Sequence, residues 1–187
     1  METDYFSILA RLILGSTSGF LSTIAPIASA PSASGNSTSA SGLGWLLEEW
    51  FSHFENIGDP SRRKLMCLAL TSLLDPSFPP ALERLQSLMT MWTDIVTELR
   101  EGADDAAGDS LVYNDPAGQF GEGPEAPEEE RRREMSYSDP VHRVNLPGFI
   151  RERFVYVRQS VPNFETEWLS RVDTDVQKAF LGLGIVS

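Results

Sequence analysis

The chain has one cysteine, Cys67, and two histidines, His53 and His142, among 187 residues. A lone cysteine excludes an internal disulfide and fits a reducing compartment. Cys67 falls inside an apolar helical pattern, so it reads as a small buried side chain and not as a reactive thiol. A metal site needs His, Cys or carboxylate ligands clustered at helical spacing, and these scattered residues do not supply one. There is no Gly-x-Ser-x-Gly elbow to raise a serine nucleophile. A glycine-rich phosphate loop is also missing, since Gly121-Glu122-Gly123 is acidic and repels phosphate. His53 reads as a boundary residue beside Phe54, and His142 as a local hydrogen-bonder after a proline turn. Asp173 and Asp175 read as helix-capping groups and not as an acid/base pair. No catalysis and no cofactor are expected.

Basic charge is scarce as well. The net charge is −12, and residues 101–130 hold ten of the 27 acidic side chains with no Lys or Arg. The remainder is nearly neutral, with 17 acidic against 15 basic residues. Only Arg62-Arg63-Lys64 and Arg131-Arg132-Arg133 form basic runs, and the second follows Glu128, Glu129 and Glu130, which neutralise it. Nucleic acid is therefore not an expected partner, because no basic stripe is present to meet phosphates. Long hydrophobic runs are absent too. Residues 12–30 are mildly apolar but rich in Gly, Ser and Thr, and Arg11 interrupts the run. Glu2 and Asp4 stand where a signal peptide carries Lys or Arg, although Ala28-Ser29-Ala30 looks like a cleavage site. No membrane insertion is expected, and Asn36-Ser37-Thr38 would matter only in a secreted protein.

What the chain does have is amphipathic helix. Leu43, Leu46, Leu47, Trp50, Phe51 and Phe54 recur at i, i+3, i+4, i+7, i+8 and i+11, one face of a 3.6-residue helix. Asp59-Pro60 supplies an N-cap and a first-turn proline for a second pattern with Leu65, Met66, Leu68, Ala69, Leu73 and Leu74. After Pro79-Pro80 a third pattern carries Leu82, Leu85, Leu88, Met89, Trp92, Ile95, Val96 and Leu99. It would extend about 30 Å at roughly 1.5 Å per residue. None of these helices can bury its apolar face alone. The expected fold is all-α: HEAT-type antiparallel hairpins stacked as a short α-solenoid, with two disordered insertions.

The expected units follow in order. Residues 1–27 form an N-terminal helical hairpin, a partial repeat in which Tyr5, Phe6, Ile8, Leu9, Leu12 and Ile13 share a face. A Ser/Ala/Gly-rich loop, 28–42, cannot bury enough apolar surface to order itself. The helices of 43–101 come next, then an acidic disordered loop, 102–138, with few apolar anchors such as Leu111, Val112, Tyr113 and Phe120. This loop reads as a solvated tether, with a sharper alternative as a lure for basic partners that salt would screen within about 8 Å. The C-terminal helices, 139–187, place Phe149, Ile150, Phe154, Val155 and Val157 largely on one side. In the final helix Val172, Val176, Ala179, Phe180 and Leu183 share a face. Trp45, Trp50, Trp92 and Trp168 are candidate partner contacts because aromatics dominate interface energies, with the core as the competing place for each.

The run Asn56-Ile57-Gly58-Asp59-Pro60-Ser61-Arg62-Arg63-Lys64-Leu65, continuing through Cys67 to Leu74, resembles the C-terminal part of importin-β (karyopherin) family nuclear transport receptors. The likeness is to the importin eleven branch as seen in fungi. Trp92-Thr93-Asp94, Asp139-Pro140-Val141-His142, and Phe164, Trp168-Leu169 and Val172-Asp173 agree with it in order. The resemblance covers residues 4–24 and 43–187. It implies a HEAT-repeat (armadillo-like) superhelix that shuttles between nucleus and cytoplasm through the nuclear envelope. Implied partners are protein cargo, the Ran GTPase through N-terminal repeats absent here, and Phe-Gly nucleoporins. The alternative function is a helical-repeat scaffold or adaptor without transport activity. Residues 4–24 would then lean on a preceding repeat, leaving a bare apolar face at the amino end and a tendency to self-associate.

Overall fold

Asp59 and Pro60 start the helix around which the rest is assembled. In the computed structural model, which describes residues 2–28, 42–103, 108–112 and 127–186, this helix is α4, Pro60–Ser72. The Asp59 carboxylate accepts from the Arg62 backbone N–H at 2.7 Å. Pro60 takes the first turn, where its missing N–H costs nothing. Replacing Asp59 with alanine is expected to lower the unfolding free energy by about 1 kcal/mol in urea titration.

Before α4 come α1, Glu2–Gly15, α2, Thr17–Ala28, and α3, Gly42–Phe54. After it come the short α5, Pro79–Leu82, and the long α6, Leu85–Glu101. The carboxyl half has α7, Pro127–Ser138, the short α8, Pro140–Arg143, and α9, Leu146–Ser160. It ends with α10, Phe164–Glu167, a 3-10 turn, Leu169–Arg171, and α11, Thr174–Gly182. Among the described residues there is no strand. Among the described residues no single helix is long and apolar enough to cross a membrane; α1 and α2 reach that composition only jointly, bent by 118°.

The fold is an all-α helical-repeat stack, as the periodicity predicts. One helix departs from the amphipathic pattern. Residues 64–72 of α4 are buried on every side, because α1 and α6 flank it and α8 and α9 close over it. A helix enclosed all round can be apolar all round. That accounts for the run Leu65 to Leu70, which has no polar stripe.

Two aromatic clusters mark the core. Phe6 stacks on Trp50 at 5.3 Å and so fixes α1 against α3. Trp92 meets Phe180 at 5.5 Å and the edge of Phe154 at 6.3 Å, and Phe154 meets Phe164 at 5.7 Å. These rings join α6, α9, α10 and α11.

Several expectations need correction. Residues 127–138, read as part of a disordered loop, form α7, with Pro127 at its start and Glu128, Glu129 and Glu130 in the first turn, where they complement the helix dipole. Residues 108–112, from the same loop, are fixed against the body, and Asp109 is only 2% exposed. The apolar residues of α1 do not share one face: Phe6, Ala10 and Ile13 point inward while Tyr5, Ile8 and Leu12 are exposed. Ala179 is exposed as well. The Ser/Ala/Gly-rich loop lies mostly outside the described residues, as do Leu43's side chain, Tyr113 and Phe120.

Candidate partner-binding surface

The basic run Arg62-Arg63-Lys64 is the first feature to test as a site, and the fold uses all of it internally. Arg62 pairs with Asp4 of α1 at 2.9 Å. Arg63 lies 3.2 Å from Glu98 of α6, and its guanidinium covers the Phe54 ring at 4.9 Å. Lys64 is wholly buried and reaches both carboxylate oxygens of Asp109, at 2.9 and 2.8 Å. Three successive side chains, about 100° apart on the helix, thus meet carboxylates from three different segments. None is left to meet a phosphate.

Asp109 gathers three donor groups: Lys64 Nζ on both oxygens, the Leu111 N–H at 3.2 Å and the Leu146 N–H at 2.8 Å. Leu146 is the first residue of α9, so a carboxylate sits at that helix's positive end. Burial pushes the Lys64 ammonium below its usual range, opposed by its hydrogen bond to Asp109. Gly108 turns with a positive φ of 64° over the Arg100 stem, where a Cβ would meet Arg100 Cγ at 3.1 Å. Arg100 in turn donates to the Leu183 carbonyl at 2.7 Å. The His142 Nδ1 lies 2.9 Å from the Leu111 carbonyl, a contact across 31 residues. Sequence reasoning missed this clasp. The available signal was Leu111-Val112, an apolar pair beside Asp109 in an otherwise polar segment.

The other chemical candidates are quiet. Burial drives the Cys67 thiol far above its usual range, opposed by a bond to Thr71, so it stays protonated. No group of three metal-ligating side chains occurs among the described residues. Asp173 caps α11 by accepting from the Asp175 N–H at 2.8 Å. The Asp139 carboxyl, raised by burial, is brought below its usual range by hydrogen bonds from Arg11, at 2.7 Å, and the Val141 N–H.

The four tryptophans have different places. Trp50 and Trp92 are completely buried, which removes them as partner contacts. Trp168 is half-buried under the Arg171 guanidinium at 5.2 Å. Only Trp45 stands out, 58% exposed on α3. Tyr5, Ile8 and Leu12 form an exposed apolar stripe on α1 at i, i+3, i+7 spacing. With Phe6, Ala10 and Ile13 on the opposite side, α1 is apolar on two faces. Such a helix is built to be covered twice. A small cleft of about 180 Å³ opens between α3 and α6, with Phe51, Phe54 and Met91 inside and Glu55 and Asp94 at its edge.

A stack of short helices with internally matched charges and apolar faces at its surface defines a helical-repeat protein. The family described as importin-11-like, TPR repeats, matches residues 1–185, and the chain belongs to it. It is thus an importin-11-like member of the importin-β family. TPR, like HEAT, denotes a two-helix repeat, so that description agrees with the helical pairs. The chain is 32% identical over 145 residues to importin beta-like protein kap113 of Schizosaccharomyces pombe, covering 74% of this chain and 14% of that protein. It is 28% identical over 158 residues to human importin-11, covering 81% and 16% respectively. Against importin beta-like protein KAP120 of Saccharomyces cerevisiae it is 29% identical over 117 residues, 60% of this chain and 11% of that protein. The chain therefore spans about a seventh of the length of these relatives. No solved structure matches it.

Proposed function

We propose that the chain is the C-terminal part of an importin-like nuclear transport receptor. In that role it helps to bind protein cargo and Phe-Gly nucleoporins in Ran-dependent import, acting by reversible binding and not by catalysis. The observation that carries this reading is the family match along nearly the whole chain. The two-sided apolarity of α1 supports it: Tyr5, Ile8 and Leu12 are the face on which a preceding repeat would stack. Ran would be met by repeats outside this chain. The receptor would move between cytoplasm and nucleus, passing the nuclear envelope.

The test uses a polypeptide that carries this chain at its carboxyl end behind further helical repeats. Pull-down with Ran-GTP and with Phe-Gly repeat peptides should capture it. If it binds neither, the scaffold or adaptor reading takes precedence.

The open α1 face gives a second expected outcome, measurable on the chain as it stands. It should self-associate with rising concentration in light scattering. Changing Ile8 and Leu12 to serine should shift it toward monomer with little change in helicity. A concentration-independent monomer for the unchanged chain would contradict the proposed stacking face.

A further inference from the structure

The second basic run, Arg131-Arg132-Arg133, lies on α7, and a serine follows it at a set distance. Ser136 has an arginine both five and three residues before it, and no other serine or threonine in the chain does. Ser87 and Thr174 have an arginine three residues before them but a leucine at five. Protein kinases that choose arginine-preceded serines bind the segment extended, in a cleft where carboxylates meet each guanidinium fork. Such recognition needs a segment that can leave its helix. None of the residues of α7 is buried, and its chief neighbour is the four-residue α8. Its 12 residues stand at the lower limit for a helix without tertiary support, about 12–15. Arg132 pairs with Glu128 at 3.5 Å between two largely exposed side chains, and Arg133 is engaged as well. Surface contacts of this kind are weak and open with the helix. Ser87 and Thr174 sit instead on α6 and α11, which Trp92 and Phe180 join at 5.5 Å in the core.

The position of Ser136 gives a phosphate there a direction of effect. It lies in the last turn of α7, where the carbonyls carry the negative end of the helix dipole. The Asp139 N–H donates to the Ser136 carbonyl at 3.2 Å, so a carboxylate already stands one turn away. A phosphate adds a charge of about −1.5 to −2 at pH 7, opposed by both. It would also compete with Glu128 for Arg132, and an acid on the carboxyl side of its basic partner is the weaker helical arrangement. Asp139 itself is held from outside α7, by Arg11 at 2.7 Å and the Val141 N–H at 3.0 Å.

We propose that Ser136 is a phosphorylation site for an arginine-directed serine kinase, and that its phosphate unwinds the end of α7 while the Arg11–Asp139 pair keeps α8 in place. In the modification the Ser136 Oγ bonds to the γ-phosphorus of Mg-ATP and the bond to the β-phosphate oxygen breaks. ADP leaves, and the hydroxyl proton passes to a carboxylate of the kinase. The inference concerns α7 and stands whether or not the transport reading does.

The test treats the full chain with Mg-ATP and the catalytic domain of a kinase that selects arginine five and three residues before its serine. Tandem mass spectrometry locates the phosphate. Ser136 is expected to be modified about ten-fold faster than Ser87 or Thr174, and R131A with R133A should slow it about ten-fold. Arg131→Lys with Arg133→Lys keeps the charge but loses both forks, and should slow it several-fold. In the phosphorylated chain the amides of residues 130–138 should exchange with deuterium several-fold faster than in the parent or in Ser136→Ala, with those of α9 unchanged. Equal rates at the three sites, or no response to either arginine pair, overturns the assignment of the site. Exchange in α7 that phosphate leaves unchanged, or slows, overturns the unwinding.

Discussion

Replacing Lys64 with methionine is expected to lower the unfolding free energy by about 3–5 kcal/mol, the loss typical of removing one partner from a buried ion pair. Lys64 and Asp109 both have side chains with no exposed surface, and no water reaches either. Without the ammonium, Asp109 keeps only the Leu111 and Leu146 N–H groups as donors. Changing Asp109 to asparagine tests the pair from the other side. The amide oxygen can still accept from a backbone N–H, but Lys64 then has no counter-ion. Burial already favours its neutral form, so the unfolded chain binds the proton more tightly than the folded one. Stability should therefore rise with pH through the alkaline range below the ordinary lysine value of 10.5, and more steeply in the variant. Urea titrations at pH 7 and pH 9.5 measure both effects. The double variant should lose less than the sum of the singles, because no charge remains buried. A Lys64→Met protein as stable as the parent would show that the clasp does not hold the two halves together.

Trp92→Ala should cost about 3–5 kcal/mol, since it removes a fully buried indole from the junction of α6, α9 and α11. The indole also has a polar partner: Nε1 donates to the Thr71 hydroxyl of α4 at 2.8 Å. Thr71→Val keeps the shape but orphans that N–H, at about 1–3 kcal/mol. Trp50 offers an internal control. It is equally buried, yet its Nε1 has no hydrogen-bond partner. Trp50→Phe should therefore cost less than Trp92→Phe, because it removes an unsatisfied donor along with the lost packing. Thermal unfolding ranks the four variants, and equal losses at the two tryptophans would contradict the role given to the Thr71 bond.

Much of the local structure was legible because it depends on neighbours in sequence. Asp59-Pro60, Asp139-Pro140 and Asp173 each cap the helix that follows, as side chains of that type do when they accept from the first free N–H groups. The Trp92 stripe on α6 was readable from its 3.6-residue period. The functional surface was less legible. A period identifies an apolar face without saying whether another helix covers it. The same lettering therefore put Trp50 in the core and left Trp45, five residues earlier on the same helix, in solvent.

By itself, then, the sequence determined that this protein is helical and which capping residues start several of its helices. Those properties are set within one or two helical turns. Only the tertiary structure decided that Arg62, Arg63 and Lys64 are consumed by Asp4, Glu98 and Asp109, and that α4 is enclosed. The reason is physical: a charge's partner and a face's cover come from segments dozens of residues away. Their meeting is set by how all the helices pack at once.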